Sequence, residues 1–159
     1  MKIYNHGDIL HCQGKSLISK GIRLFTGSTI THSAIYFLID GVPFIMDAQK
    51  DGVNLRPFKE WMKKYNYDII ATPWIWAHNP YSRALQKSGV TGYDFRLFLF
   101  RYPSKIVKSI FTRKDVELKR VSKENEKLIC SEFIAWVIGL ENPQNYTPKD
   151  LFIFCTFEK

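Results

Sequence analysis

The sequence predicts an α+β fold, a small antiparallel sheet packed against helices, and three observations lead to it. From His32 to Ile39 the chain alternates, with His32, Ala34, Tyr36 and Leu38 on one face and Ser33, Ile35, Phe37 and Ile39 on the other. This is the period-two pattern of a strand, rich in β-branched and aromatic residues. Asp40-Gly41 follows, a dipeptide that favours a tight hairpin, so Val42–Ala48 reads as the returning strand. Far downstream, apolar residues at 129, 133, 134, 137 and 138 recur at the spacing of a buried helix, and Gly139 offers its stop.

The remaining elements follow from local signals. Asp68–Trp76 reads as a further strand broken near Pro73. Asn79-Pro80 is a helix opening, with Asn as cap and Pro in the first turn, and Gly89 closes that helix. Leu151–Phe157 alternates and reads as a final strand, with Cys155 packed on the face of Ile153 and Leu151. Pro43 cannot donate to a ladder, which suggests an edge position or a loop extending past Gly41.

Composition fits one domain over residues 1–159. At 45% hydrophobic residues the chain can bury a real core, roughly 70% of its unfolded surface, and no repeat, low-complexity tract or linker divides it. Residues 1–8 lack the apolar stretch of a signal peptide, and no segment approaches the ~20 apolar residues of a membrane span, so a cytoplasmic protein is expected. Cys12, Cys130 and Cys155 show no metal-ligand spacing and no Cys-x-x-Cys pair, so neither a disulfide framework nor a metal is expected, and the chemistry needs no cofactor. Much of the net charge of +8 gathers between Arg96 and Lys127, a basic insertion or face suited to an anionic cell-wall polymer or membrane surface. Asp115, Glu117, Glu124 and Glu126 dilute that field, and a solvated face is the plainer alternative. No nucleic-acid-binding motif accompanies the charge, so specific nucleic-acid binding is not expected. Nothing in the sequence indicates an oligomeric state.

The residues that carry chemistry sit on the hairpin and on the downstream helix. A catalytic cysteine attacks as the thiolate and needs a helix N-terminus or an imidazole to favour that form. Cys130 lies in the first turn of the helix, where unpaired N–H groups favour an anion and can receive the oxyanion of a tetrahedral intermediate. Without a partner, a free cysteine is more often a small buried hydrophobe. The hairpin supplies the partner. With a two-residue loop Ile39 pairs with Val42, which sets Ala34 opposite Asp47 and His32 opposite Gln49. His32 and Asp47 then become diagonal neighbours on one face. A four-residue loop would keep them on one face, whereas a three-residue loop would separate them. A carboxylate beside a general-base imidazole fixes its tautomer and stabilises its protonated form.

Several segments together resemble a known family: Gly7-Asp8-Ile9-Leu10, Thr31-His32-Ser33-Ala34-Ile35-Tyr36, Met46-Asp47-Ala48 with Gly52-Val53, Gly92-Tyr93-Asp94, Cys130-Ser131-Glu132-Phe133 and Thr147-Pro148-Lys149-Asp150-Leu151. Their contents and order are similar to those of the circularly permuted NlpC-type papain-like cysteine peptidases and amidases, the YiiX/YebB-like branch. The resemblance spans nearly the whole chain. It implies a papain-like fold in which the histidine strand precedes the cysteine helix. It also implies Cys130 as nucleophile, His32 as base and Asp47 as third polar residue, a position where that branch more often has Glu.

The expected reaction is acyl transfer through a thioester, with Cys130 attacking an amide carbonyl and His32 moving the proton. The resemblance implies a small or cell-wall-type peptide as substrate. Tyr36, on the face of His32, and Tyr93, at a position common in the family, are candidate substrate-binding residues; Gln13 is the candidate second oxyanion donor. Two other functions compete. One is a lipid acyltransferase or phospholipase of the lecithin:retinol acyltransferase-like type, whose members usually have a second histidine at the position of Asp47. The other is a non-catalytic peptide-binding module.

Overall fold

The computed structural model describes residues 3–65, 67–76, 78–89 and 129–157. Five strands, β1 (Ile9–Gln13), β2 (His32–Ile39), β3 (Val42–Gln49), β4 (Gly52–Pro57) and β5 (Asp68–Thr72), form one antiparallel sheet in the order β4-β3-β2-β1-β5. Helices α1 (Leu17–Thr26), α2 (Phe58–Tyr65), α3 (Pro80–Leu85), α4 (Cys130–Ile138) and α5 (Pro148–Phe157) complete the α+β arrangement. The basic stretch at about 96–127 lies outside the described residues.

The central hairpin turns on two residues. Asp40 and Gly41 both hold positive φ, 50° and 77°, as the two-residue loop requires, and Ile39 pairs with Val42. Pro43 sits inside β3 rather than in a longer loop. It lies opposite Leu38, and β4 reaches only as far as the Phe44–Pro57 pair, so no strand stands where its missing N–H would have donated. A second tight turn at Lys50-Asp51 pairs Gln49 with Gly52 and brings in β4, which the sequence reading did not resolve. β5 ends at Thr72, before Pro73, and lies at the sheet edge against β1.

The two faces of the sheet are covered differently. Ile9, Ile35, Phe37, Met46, Ala48 and Val53 pack against Phe133, Ile134 and Val137 of α4 and Leu151 of α5. On the other face Leu10, Cys12, Ala34, Tyr36, Ile45 and Ile69 surround Trp61 of α2. Helix α4 begins at Cys130 and ends where Gly139 adopts φ 84°, satisfying the carbonyls of Ala135 and Trp136.

One element departs from expectation. Residues 151–157 form the end of helix α5, not a strand. Thr147 and Asp150 build a capping box: the Asp150 N–H donates to Thr147 Oγ1 at 3.2 Å and the Thr147 N–H donates to Asp150 Oδ2 at 3.0 Å, with Pro148 at the first helical position. The helix buries Leu151 and Cys155, four residues apart, so the apparent alternation was a run of apolar residues around a helix. Removing the cap in Thr147→Ala should lower stability by about 1 kcal/mol in a denaturant titration.

His11 is buried on the α4–α5 face of the sheet, edge-on to Phe152 at 5.1 Å, with Nε2 3.1 Å from Thr72 Oγ1. Burial lowers its imidazole to about 4 from the ordinary 6.5. Between those values the unfolded chain holds the extra proton, so stability is lost as pH falls from 6.5 towards 4. His11→Gln should remove that part of the acid dependence in denaturation midpoints measured across this range.

Candidate functional site

The catalytic candidates are assembled where β2 begins. His32 is its first residue, and its side chain lies on the Trp61 side of the sheet with Asp47 as diagonal neighbour. His32 Nε2 donates to Asp47 Oδ2 at 2.9 Å. Helix α4 packs on the opposite face, and its first residue, Cys130, is buried within electrostatic reach of the imidazole. Cys130 is fully buried and His32 is 6% exposed.

Asp47 is the most heavily bonded side chain of the site. Besides His32, Oδ2 accepts from Gln49 Nε2 at 2.7 Å and Trp61 Nε1 at 2.8 Å, while Oδ1 accepts from Arg56 Nη1 at 2.6 Å. Arg56 also reaches Asp51 at 2.6 Å, which ties the β3–β4 turn to the same network. Burial alone would raise the Asp47 carboxyl. The hydrogen bond and charge of His32, the charge of Arg56 and the Gln49 amide outweigh it and hold Asp47 below the usual carboxylate range.

His32 responds in the opposite sense. Burial favours its neutral form, but attraction to Cys130, the hydrogen bonds to Asp47 and Cys130, and the charge of Asp47 raise it to about 10. The Tyr67 ring stacks on the imidazole at 5.6 Å with 21° between planes. Burial, then the neighbouring Cys12, Asp47 and Cys130, raise the Tyr67 hydroxyl, although a hydrogen bond with Gln49 opposes them.

Cys12 stands directly opposite His32 in the β1–β2 register. Its thiol donates to the Leu10 carbonyl at 3.5 Å, and burial, followed by Asp47 and Cys130, pushes it well above the ordinary thiol range. It is a thiol that stays protonated.

The N-terminus of α4 is built without a side-chain cap, because Ile129 at the N-cap has no acceptor to offer. Glu132 accepts instead from the Ile129 N–H at 3.2 Å, and Ser131 Oγ donates to the Tyr146 carbonyl at 2.7 Å. The N–H of Cys130 belongs to the first turn, whose N–H groups have no partner within the helix itself.

The other residues singled out in the sequence are distributed around this centre. Tyr36 is buried, 7% exposed, behind Tyr4 and Phe58, whose rings lie 5.6 and 5.5 Å from its own. Gln13, at the end of β1, donates from Nε2 to Thr29 Oγ1 at 3.2 Å. Tyr93 lies outside the described residues. Sequence reasoning missed Gln49, Arg56, Trp61 and Tyr67. Two were within its reach: Gln49 lies opposite His32 in the hairpin count, and reading Lys50-Asp51 as a second two-residue turn sets Arg56 diagonal to Asp47.

No protein-family model matches this chain, and no curated protein matches it. Among solved structures it is similar to the crystal structure of the metalloprotein YiiX from Escherichia coli O157:H7, with a TM-score of 0.53 and 21% identity. The match covers 83% of this chain and 63% of that one, so the chain spans less than two thirds of the YiiX chain. The two share a fold. Among the described residues no helix is long and apolar enough to cross a membrane.

The raised imidazole makes stability depend on pH. Held at about 10 when folded against 6.5 otherwise, His32 binds a proton in the folded state that the unfolded chain releases between those values. Its contribution is complete below pH 6.5 and is lost as pH rises towards 10. Denaturation midpoints should therefore fall across pH 6.5–10, and Cys130→Ala should shrink the fall, because attraction to Cys130 is the largest effect raising His32.

Proposed function

We propose that the protein is a cysteine-dependent hydrolase that cleaves an amide bond, in a small or cell-wall-type peptide, through a thioester. The observation that carries this is one imidazole hydrogen-bonded to a buried carboxylate and within electrostatic reach of a buried cysteine at a helix N-terminus. A cysteine, an imidazole and a carboxylate so arranged are the parts of a nucleophile, a base and an orienting group. The fold shared with YiiX and the motif order in the sequence support a permuted NlpC-type papain-like domain as the frame.

In the first step Cys130 attacks as the thiolate beside protonated His32, and its Sγ bonds to the carbonyl carbon of the substrate. The oxyanion forms at the N–H of Cys130, where the α4 dipole favours negative charge. The C–N bond then breaks as His32 protonates the departing amine, leaving a thioester on Cys130 and a neutral imidazole. A water molecule, deprotonated by that imidazole, attacks the thioester carbonyl, and the C–S bond breaks to release the carboxylic acid and restore the thiolate beside protonated His32. Asp47 keeps Nε2–H directed to itself throughout, so the opposite ring nitrogen serves the sulfur. Its four donors hold it ionised and in place while the imidazole changes charge.

YiiX is described as a metalloprotein, but among the described residues here no three His, Cys, Asp or Glu side chains converge on a point that would hold an ion.

Purified protein offered peptidoglycan-derived peptides and phospholipid vesicles in parallel should release amine from the peptides. His32→Ala should slow that release by on the order of 10²–10⁴, and Cys130→Ser should slow it at least as much. Alkylation of Cys130 by iodoacetamide should slow in His32→Ala as well. Release of fatty acid without peptide cleavage, or alkylation that ignores His32, would sink the assignment.

A further inference from the structure

A broad open cleft of about 540 Å³ lies beside the candidate site, walled by Tyr4, Phe58, Met62 and Tyr67. The size is that of pockets that enclose a small organic molecule. Two of its polar members, Gln13 and Asp68, are already engaged. Gln13 donates to Thr29, and the Asp68 carboxylate lies 3.2 Å from Lys15 Nζ, so the rim offers a neutralised pair rather than a free charge. An apolar, uncharged group is what such a cleft holds.

Position decides which part of a substrate that group belongs to. Every lining residue falls between Tyr4 and Ile70, and none comes from α4. The cleft connects to the site through Tyr67, which both lines it and stacks on His32. In the tetrahedral intermediate the oxyanion points to the first turn of α4, and the leaving nitrogen points to His32, from which it takes its proton. A cleft on the imidazole side, remote from α4, adjoins the leaving group.

We propose that this cleft binds the leaving-group side of the substrate, an amine bearing an uncharged alkyl or aryl group. The proposal rests on the amide-hydrolase function given above. The apolar portion lies between Phe58 and Met62, and the scissile bond passes the edge of Tyr67 to reach the imidazole.

Two ladders of substrate test it. In one, N-acetyl anilides carry a 4-alkyl chain of increasing length on the aniline, which changes apolar area with little change in leaving-group basicity. In the other, the acyl chain lengthens on a constant aniline. In the leaving-group ladder kcat/KM should rise by up to about fourfold per methylene buried, the ~0.8 kcal/mol of a buried CH₂, while the acyl ladder stays flat. Met62→Trp, which fills the cleft, should flatten the first ladder. Ile70→Trp, at the exposed edge of the same cleft, provides a second filled variant should the first fold poorly. A gain confined to the acyl ladder overturns the proposal. If neither ladder turns over, the hydrolase function fails, and the cleft is judged separately by calorimetry on Cys130→Ser. There 4-butylaniline binding more tightly than aniline, with the difference lost in Met62→Trp, supports the cleft; equal binding overturns it.

Discussion

A single buried carboxylate organises this structure. Asp47 has no exposed surface, and an ion in that position is tolerable only when its oxygens are fully engaged. Its partners come from β2, β3, β4 and α2, through His32, Gln49, Arg56 and Trp61. Three strands and one helix thus each contribute one donor to one point. The charge that results is then available to the imidazole, which it fixes in orientation and favours in the protonated form. Structure and chemistry depend on the same four contacts, so a loss of any one disturbs both.

Two layers meet at the candidate site. The strands and α2 provide the imidazole and its carboxylate, while α4 enters from the opposite face with the cysteine at its first residue. The helix is fixed by an apolar interface well away from the sulfur, through Phe133, Ile134 and Val137, so the placement of Cys130 is set by packing rather than by its own bonds. The neighbouring Cys12 shows the converse. It lies opposite the same histidine but on a strand, without a helix terminus, and its surroundings disfavour the thiolate. The two cysteines thus stand beside one imidazole in different backbone settings, one on a strand and one at a helix N-terminus.

The sequence was most legible where side-chain direction is fixed by a short count. Asp40-Gly41 determined the hairpin register, and the register placed His32 beside Asp47, because strand geometry leaves no freedom once the turn length is known. The α4 boundaries were equally open to reading, since its apolar period and Gly139 agree. Where two periods compete, the count loses its force. Leu151–Phe157 is apolar at nearly every position, so alternation and helical spacing both fit it, and the deciding signal lay upstream in Thr147-Pro148 and Asp150. Trp61 and Tyr67 were hidden for a different reason. Their role depends on how α2 and the start of β5 fold over the sheet, which no local pattern encodes.

The hairpin turn at Asp40-Gly41 has a further effect on the population of molecules. A shift of one residue in the pairing of β2 with β3 would send His32 and Asp47 to opposite faces and leave the carboxylate without its donors. Such a chain would separate the imidazole from its carboxylate. Any competence of the site for the proposed chemistry is thereby confined to correctly registered copies, so the turn selects among chains as well as shaping one.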